Sequence, residues 1–323
     1  MFTGEKGLIV IALGGNTFQS KEDRGLPNDY WRNAEKTANL VAELVKERYR
    51  VIVTHGNGPQ VGIIEEWMVL GLKQRNIPPM TLDIAGAMTQ GWLGYILQQS
   101  IHNKLREKGL LPNVVKGVVT IITQTLVDIN DIAFKNPSKY IGSWYEREEA
   151  EIMSKELGWV FKEDPRGGYR RVVPSPEPIE LVEINAIKTL LDNGFIVIAS
   201  GGGGIPVYIN ETGGLKGVEA VIDKDLSAER LATALKADLL LILTDIESVY
   251  LNYGKPDAKP INTMTVEDAL RYYNEGHFKP GSMGPKIMAA IRFAKNSGKI
   301  AIIAHLDKAL EALRGLSGTR IIP

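Results

Sequence analysis

Three lysines occupy turns from which an ammonium group could do chemistry. Lys224 stands between Asp223 and Asp225 in "VIDKDLS", Lys286 follows a Gly/Pro turn in "GSMGPK", and Lys139 lies in "NPSKYIG". A lone lysine is ordinarily a solvated surface charge. One fixed in a tight turn beside carboxylates or glycines is placed to meet an anion. Three glycine clusters point the same way: Gly14-Gly15-Asn16, Gly56-Asn57-Gly58, and Gly201 to Gly204. Each follows an apolar run. Glycine lets the main chain approach a ligand closely, and successive N–H groups with a helix N-terminus behind them form an anion site. One Gly pair at a strand-to-helix turn reads as a bend. Three clusters after three runs read as a clasp for a polyanion, most simply a phosphoryl group in transfer. Such a transfer requires positioning and charge neutralisation more than covalent chemistry.

Other chemistries find less support. There is no G-x-x-x-x-G-K-[ST] loop, and "GNGPQVG" has one residue too many before its last glycine for G-x-G-x-x-G. Any nucleotide site is therefore of another design. The four histidines, His55, His102, His277 and His305, fall into no Ser-His-Asp or metal-ligand spacing. His55 is expected to line the site beside Gly56, and His102 to lie on a helix surface. The chain has no cysteine, hence neither a disulfide framework nor a thiolate metal site. No metal-ligating set is expected.

The elements that must position these residues are legible as short apolar runs. They are Leu8 to Leu13, Arg50 to His55, Val118 to Thr123, Phe195 to Ser200, Leu239 to Thr244 and Ile300 to His305. Runs this short, rich in Ile and Val, predict strands buried on both faces. Helical patterns lie between them, notably around Asn33 to Arg48 and Pro59 to Lys73, with Pro59 suited to the first helical position. Alternating strands and helices predict an α/β fold with a parallel sheet and helices on both sides. Ligands of such open sheets bind at the carboxyl ends of the strands, where the glycine clusters fall. Residues 128–178 break the rhythm: polar, Pro/Gly-bearing and aromatic, with Trp144, Tyr145, Trp159 and Phe161. An insertion this long is usually functional or disordered; these aromatics argue against disorder, and it reads as a small subdomain standing off the sheet, a lid.

The bulk composition sets limits. With 323 residues, 44% hydrophobic content and a formal net charge of zero, the chain can bury a large core. Neither a nucleic acid nor an acidic membrane is favoured as a partner. The N-terminal stretch lacks a signal-peptide layout, and no apolar run approaches the roughly 20 residues that span a bilayer. The expectation is a soluble cytoplasmic protein.

The motifs together resemble the carbamate kinases of the amino acid kinase family. The matching stretches include "VIALGGN", "VTHGNGPQVG", "DIAGAMTQGWLGYILQQ", "AFKNPSKYIG", "RRVVPSPEP", "VIASGGGGIPV", "GVEAVIDKDL", "LTDIESVYLNYGKP" and "GHFKPGSMGPK". They run from about Leu8 to the end of the chain. The visible departure is Thr17-Phe18 after "GGN", where a smaller residue and Leu would be expected.

The resemblance implies a three-layer αβα sandwich, a homodimer, and a single domain with residues 128–178 as a mobile subdomain over the substrate. It implies phosphorylation of carbamate by ATP with Mg²⁺, giving ADP and carbamoyl phosphate. The reverse reaction makes ATP, the useful direction in arginine catabolism. Carried over by motif, Lys224 and Lys286 would neutralise the transferring phosphoryl group, Asp225 would orient them, and Lys139 would hold carbamate or carbamoyl phosphate. Gly14, Gly15, Asn16, Gly56 and Asn57 would bind substrate and the transferring group, with Gly201 and Gly202 meeting the phosphates from the other side. Asp223, Thr244, Asp245 and Tyr250 would line the nucleotide, and Mg²⁺ would be held mainly through its phosphates. The alternatives are a relative acting on glutamate, acetylglutamate, aspartate or UMP, and a non-catalytic nucleotide sensor. The "AFKNPSKYIG" block argues for carbamate, and the presence of all three lysines argues against a sensor.

Overall fold

The computed structural model describes residues 6–14, 17–20, 22–164, 167–279 and 281–323. Its first part runs β1 (Leu8–Leu13), α1 (Pro27–Lys46), β2 (Arg50–His55), α2 (Gly58–Arg75), α3 (Leu82–Glu107), β3 (Gly117–Thr120) and β4 (Gln124–Leu126). Then come α4 (Ile132–Lys135), β5 (Lys139–Tyr145), α5 (Arg147–Leu157), β6 (Phe161–Glu163) and β7 (Tyr169–Val173). The chain continues through β8 (Glu180–Leu181), α6 (Ile184–Asp192), β9 (Phe195–Ile198), β10 (Ile205–Ile209), β11 (Leu215–Gly217), α7 (Lys224–Ala234) and β12 (Leu239–Thr244). It closes with β13 (Val249–Leu251), β14 (Lys259–Ile261), β15 (Thr263–Thr265), α8 (Val266–Asn274), α9 (Met283–Ser297), β16 (Ile300–His305), α10 (Ala309–Leu313) and β17 (Thr319–Ile322).

The central sheet has the order β15-β17-β16-β12-β1-β2-β9-β3. Every pair is parallel except β16 with β17. Alternate residues of one strand feed two separate cores, as the pleat requires. Leu8, Val10 and Ala12 of β1 face a core shared with Ile187 of α6, Leu231 of α7, Ala269 of α8 and Phe293 of α9. Ile9, Ile11 and Leu13 face Val41 of α1, Leu97 of α3 and Ala312 of α10. This is the expected three-layer αβα sandwich.

Several boundaries differ from the sequence reading. The first helix begins at Pro27 rather than near Asn33. Pro59 takes the second helical position, because Asn57 is the N-cap and Gly58 the first residue. β3 stops at Thr120, short of Thr123, whose N–H donates to Gln90 Oε1 (2.8 Å) and whose hydroxyl accepts from Ser200 N–H (3.0 Å). β9 stops at Ile198, because Ser200 turns left-handed (φ 55°). The short strands β15 and β17 extend the sheet beyond the six apolar runs. A smaller sheet, β11-β10-β4-β8, lies apart from it.

Residues 128–178 carry α4, α5 and an antiparallel sheet ordered β5-β7-β6. Tyr145, Ala150 and Met153 form a small core there, but that core also takes Val69 from α2.

Candidate active site

β12, β1, β2 and β9 are consecutive neighbours and all parallel. Their carboxyl ends therefore open on one edge, where Thr244-Asp245, Gly14, Gly56-Asn57 and Gly201-Gly202 gather. Gly15 and Asn16 fall outside the described residues. Gly14 follows β1 closely packed, since a Cβ there would sit a tight 3.2 Å from Leu243 O and 3.8 Å from Thr244 Cα. Gly56 N–H donates to Leu13 O (3.2 Å), tying the turn after β2 to the end of β1.

The four glycines after β9 have a specific structural cause. A Cβ on Gly201 would lie 2.6 Å from His55 Nε2, and one on Gly203 would lie 2.7 Å from Ile222 O. Cβ atoms on Gly202 and Gly204 would overlap the side chains of Asn57 and Thr125. Gly202, Gly203 and Gly204 also have φ between 67° and 96°, a region open mainly to glycine. The cluster thus lets the turn after β9 press against the turn after β2 on one side and the approach to α7 on the other.

Polar side chains that the sequence reading did not single out hold this junction. Thr54 Oγ1 donates to Ser200 O (3.0 Å), Ser200 Oγ and Ser227 Oγ are 2.7 Å apart, and Gln90 Nε2 donates to Gly201 O (3.0 Å). Asn57 Nδ2 donates to Thr89 Oγ1 (2.7 Å). These are single Ser, Thr and Gln residues on different elements, and no local pattern marks them. His55 is buried, with Nδ1 3.0 Å from Gly56 O and the Phe18 ring edge-on at 5.5 Å. Burial pushes its pKa down to about 4, outweighing the bond to Gly56 O, so the ring is neutral at pH 7. Phe18, the departure noted after "GGN", is packed fully inside.

The charged groups converge at the start of α7. Asp223 is its N-cap, with Oδ1 accepting from Asp225 N–H (2.9 Å) and Leu226 N–H (3.4 Å). Its other oxygen accepts from Lys139 Nζ (3.1 Å), which reaches in from β5. Asp225 is buried and accepts from Lys224 Nζ at 2.8 and 2.9 Å and from Lys286 Nζ of α9 at 3.0 Å. The structure therefore brings together Lys139, Lys224 and Lys286 with Asp223 and Asp225, as the motifs lead one to expect. Burial works to raise the Asp225 pKa, but the two ammonium groups prevail and hold it well below the usual carboxylate range. Burial lowers Lys224, with Lys286 adding repulsion against the pull of Asp225. Lys286 feels the same burial, yet Asp225 and Asp223 outweigh it and its pKa is raised.

Beyond β12, Thr244 Oγ1 donates to Asp245 Oδ1 (3.2 Å). Tyr250, in the β13–β14 hairpin, stands 5.8 Å from the Tyr253 ring. Among the described residues no hydrogen bond joins them to the lysine cluster, and Gly14 packs beside Thr244. Among the described residues no three His, Cys, Asp or Glu side chains group to hold a metal. The arrangement can hold anions on two sides: main-chain turns on one, and three ammonium groups steadied by two carboxylates on the other.

The amino acid kinase family model matches residues 7–305. A carbamate kinase from Pyrococcus horikoshii is 53% identical, covering 98% of this chain and 99% of that one. A carbamate kinase from Trichomonas vaginalis is 46% identical with the same coverage. A carbamate kinase from Giardia lamblia, solved bound to AMP-PNP, superposes with a TM-score of 0.90 at 42% identity and covers 98% of each chain. An N-acetylglutamate synthase from Neisseria gonorrhoeae has a TM-score of 0.55 at 13% identity, covering 98% of this chain and 62% of that one, and shares the fold.

Proposed function

Because the chain belongs to the amino acid kinase family, we propose that its cleft transfers a phosphoryl group between ATP and carbamate, reversibly. The observation that carries the reading is the Asp225 carboxylate, which gathers Lys224 and Lys286 from two helices onto one point. Carbamate presents an anionic oxygen, so no general base is required. A bond forms from that oxygen to the γ-phosphorus as the bond to the ADP oxygen breaks, and ADP departs with the electron pair. The obstacle is repulsion between two anions. Lys224 and Lys286 oppose it at the transferring group, and Asp225 keeps them charged and aimed. Lys139 would exchange Asp223 for carbamate or carbamoyl phosphate, with residues 128–178 standing over the substrate. Gly14, Gly15, Asn16, Gly56 and Asn57 would bind substrate and the transferring group, with Gly201 and Gly202 opposite. Asp223, Thr244, Asp245 and Tyr250 would border the nucleotide.

Mg²⁺ fits this site as an ion carried by the nucleotide. Asp225 is already engaged by two lysines and Asp223 by Lys139 and the α7 N–H groups, so the phosphates would supply its ligands. Bound there, Mg²⁺ would neutralise charge on the β- and γ-phosphate oxygens. The reading includes a homodimer, with a cytoplasmic location where ATP and ADP are plentiful. α2, α3 and the turn between them carry the exposed apolar side chains Trp67, Ile77, Met80, Ile84, Met88 and Tyr95, surface of the kind that subunits cover. No described helix is long and apolar enough to cross a membrane.

The test is acceptor choice. ATP consumption with Mg²⁺ is followed with carbamate, formed from ammonium and bicarbonate, and with glutamate, acetylglutamate, aspartate and UMP in turn. Turnover with carbamate alone is expected. Turnover with another acceptor and none with carbamate would contradict the reading.

A further inference from the structure

Arg171 of β7 is buried, with only 4% of its surface exposed, and its guanidinium joins three parts of the molecule. Nη1 donates to Glu65 Oε1 of α2, and Nη2 donates to Glu219 Oε2 at 2.8 Å. Its plane lies over the Trp159 ring, 3.9 Å from the centroid. The two carboxylate partners lead to the cleft. α2 begins at the Asn57 cap. Glu219 stands four residues before Asp223, and its other oxygen accepts from Leu82 N–H (3.2 Å) at the start of α3. Arg171 itself pairs with Ile141 in the β5–β7 ladder, where Lys139 pairs with Val173. Alternation along a strand puts Lys139, Ile141 and Arg171 on one face of that small sheet.

The same junction is closed by backbone. A Cβ on Gly62 of α2 would sit 3.1 Å from Gly142 Cα of β5. A Cβ on Gly142 (φ 67°) would sit 2.9 Å from Glu65 Oε2. Val221 N–H also donates to Pro174 O (2.9 Å), joining the end of β7 to the approach to α7. The inserted residues are thus fastened to α2 and to the Glu219–Asp223 segment beside the strand that carries Lys139.

We propose that Arg171 is a positioning residue for Lys139: by bridging Glu65 and Glu219 it fixes where the Lys139 ammonium stands relative to Asp223 and the α2 turn. The inference rests on the carbamate reading for its kinetic form. A lysine at 171 keeps the charge but cannot span two carboxylates with a planar fork, and small displacements at a reacting centre are costly, up to about 100-fold.

The experiment compares Arg171→Lys, Lys139→Ala and the double variant, with ADP and carbamoyl phosphate varied separately. Arg171→Lys is expected to raise KM for carbamoyl phosphate roughly 10-fold or more while KM for ADP stays within about 2-fold. In the Lys139→Ala background the same change should add less than about 2-fold, the non-additivity that marks two residues acting as one. Additive effects, equal rises in both KM values, or no change would overturn the proposal. Glu65→Gln, which retains an acceptor for Arg171, should reproduce the pattern more weakly and serves if Arg171→Lys fails to fold. Amide hydrogen exchange gives a readout that does not need activity. Arg171→Lys should speed exchange in Lys139–Tyr145 and leave β1 and β12 unchanged. A wild-type enzyme that forms no ATP would defeat the functional reading, and the exchange result would then decide the structural one: unchanged β5 exchange overturns it.

Discussion

Lys224 and Lys286 share one carboxylate, so neither can be removed without leaving Asp225 and its neighbour misaligned. Replacing either by alanine is expected to lower turnover by about 10²–10³-fold, the usual cost of losing a cation aimed at transition-state charge. A coupled assay of ATP formation reads this, and an alanine variant with wild-type turnover would remove that lysine from the mechanism. The two lysines also differ in a measurable way. Burial and Lys286 lower the Lys224 pKa, so Lys224 loses its proton before an ordinary lysine would. The alkaline limb of kcat/KM, which reports the free enzyme, should lie below the usual lysine range of about 10.4. Lys224→Arg should move that limb upward, since a guanidinium stays charged. An unmoved limb would assign it to another group. His55 gives a prediction of opposite sense for stability. Its folded pKa of about 4 lies below the unfolded value near 6.5, so the unfolded chain binds the proton more readily. Stability from this residue is intact above about pH 6.5 and declines as the pH falls towards 4, by about 3 kcal/mol in all. His55→Gln should flatten that part of a denaturation-versus-pH curve; an equally steep fall in the variant would place the loss elsewhere. At this scale the sequence made the lysines and glycines visible because each stood in a short, unusual turn. Arg171 and Glu65 were invisible, since a buried ion pair leaves no local mark and its members lie 106 positions apart.

Among the elements, the turn after β9 shows how far a local reading reaches. Four glycines announce a tight approach, and the approach is real, but the atoms pressed against them belong to His55, Asn57, Ile222 and Thr125. A ligand on the open side and packing on the closed side make the same demand for glycine, and the sequence cannot separate them. The two uses predict different outcomes. Gly202→Ala and Gly204→Ala should each destabilise the fold by roughly 1–3 kcal/mol, through positive φ and a filled Cβ position. Gly202→Ala should also displace Asn57 and reduce kcat/KM well beyond Gly204→Ala. Urea denaturation and steady-state kinetics on the pair check this, and equal kinetic losses would argue against a role for Asn57. The strands with both faces buried were legible because their central residues are continuously apolar. β15 and β17 were not, being short strands at one end of the sheet with polar residues such as Thr263, Thr265, Thr319 and Arg320. The early start of α1 was hidden for a similar reason: Pro27-Asn28-Asp29 reads as loop until Asp29 Oδ2 is seen to accept from Leu26 N–H (3.0 Å).

For the whole molecule, alternation of strands and helices was enough to give an α/β fold with a parallel sheet and helices on both sides, because a parallel sheet must be covered on both faces. The order of its strands was not readable. That order makes β12, β1, β2 and β9 neighbours, and so brings turns from distant parts of the chain to one edge. Lys139 meets Asp223 only because residues 128–178 fold back over α2, an arrangement with no local signature. Association belongs to this scale too. Sedimentation equilibrium should give a dimer mass, and Met88→Glu, on the exposed face of α3, should shift it towards the monomer; a monomeric wild type would refute the dimer.

The measurement that bears most directly on the central claim is ³¹P NMR of the purified protein with Mg²⁺, ADP and carbamoyl phosphate, beside a protein-free control for spontaneous decay. Protein-dependent growth of the ATP β- and γ-phosphate signals, matched by loss of the acyl-phosphate signal and slowed about 10²–10³-fold by Lys224→Ala, is the predicted result. Decay of carbamoyl phosphate at the control rate with no ATP signal would contradict it.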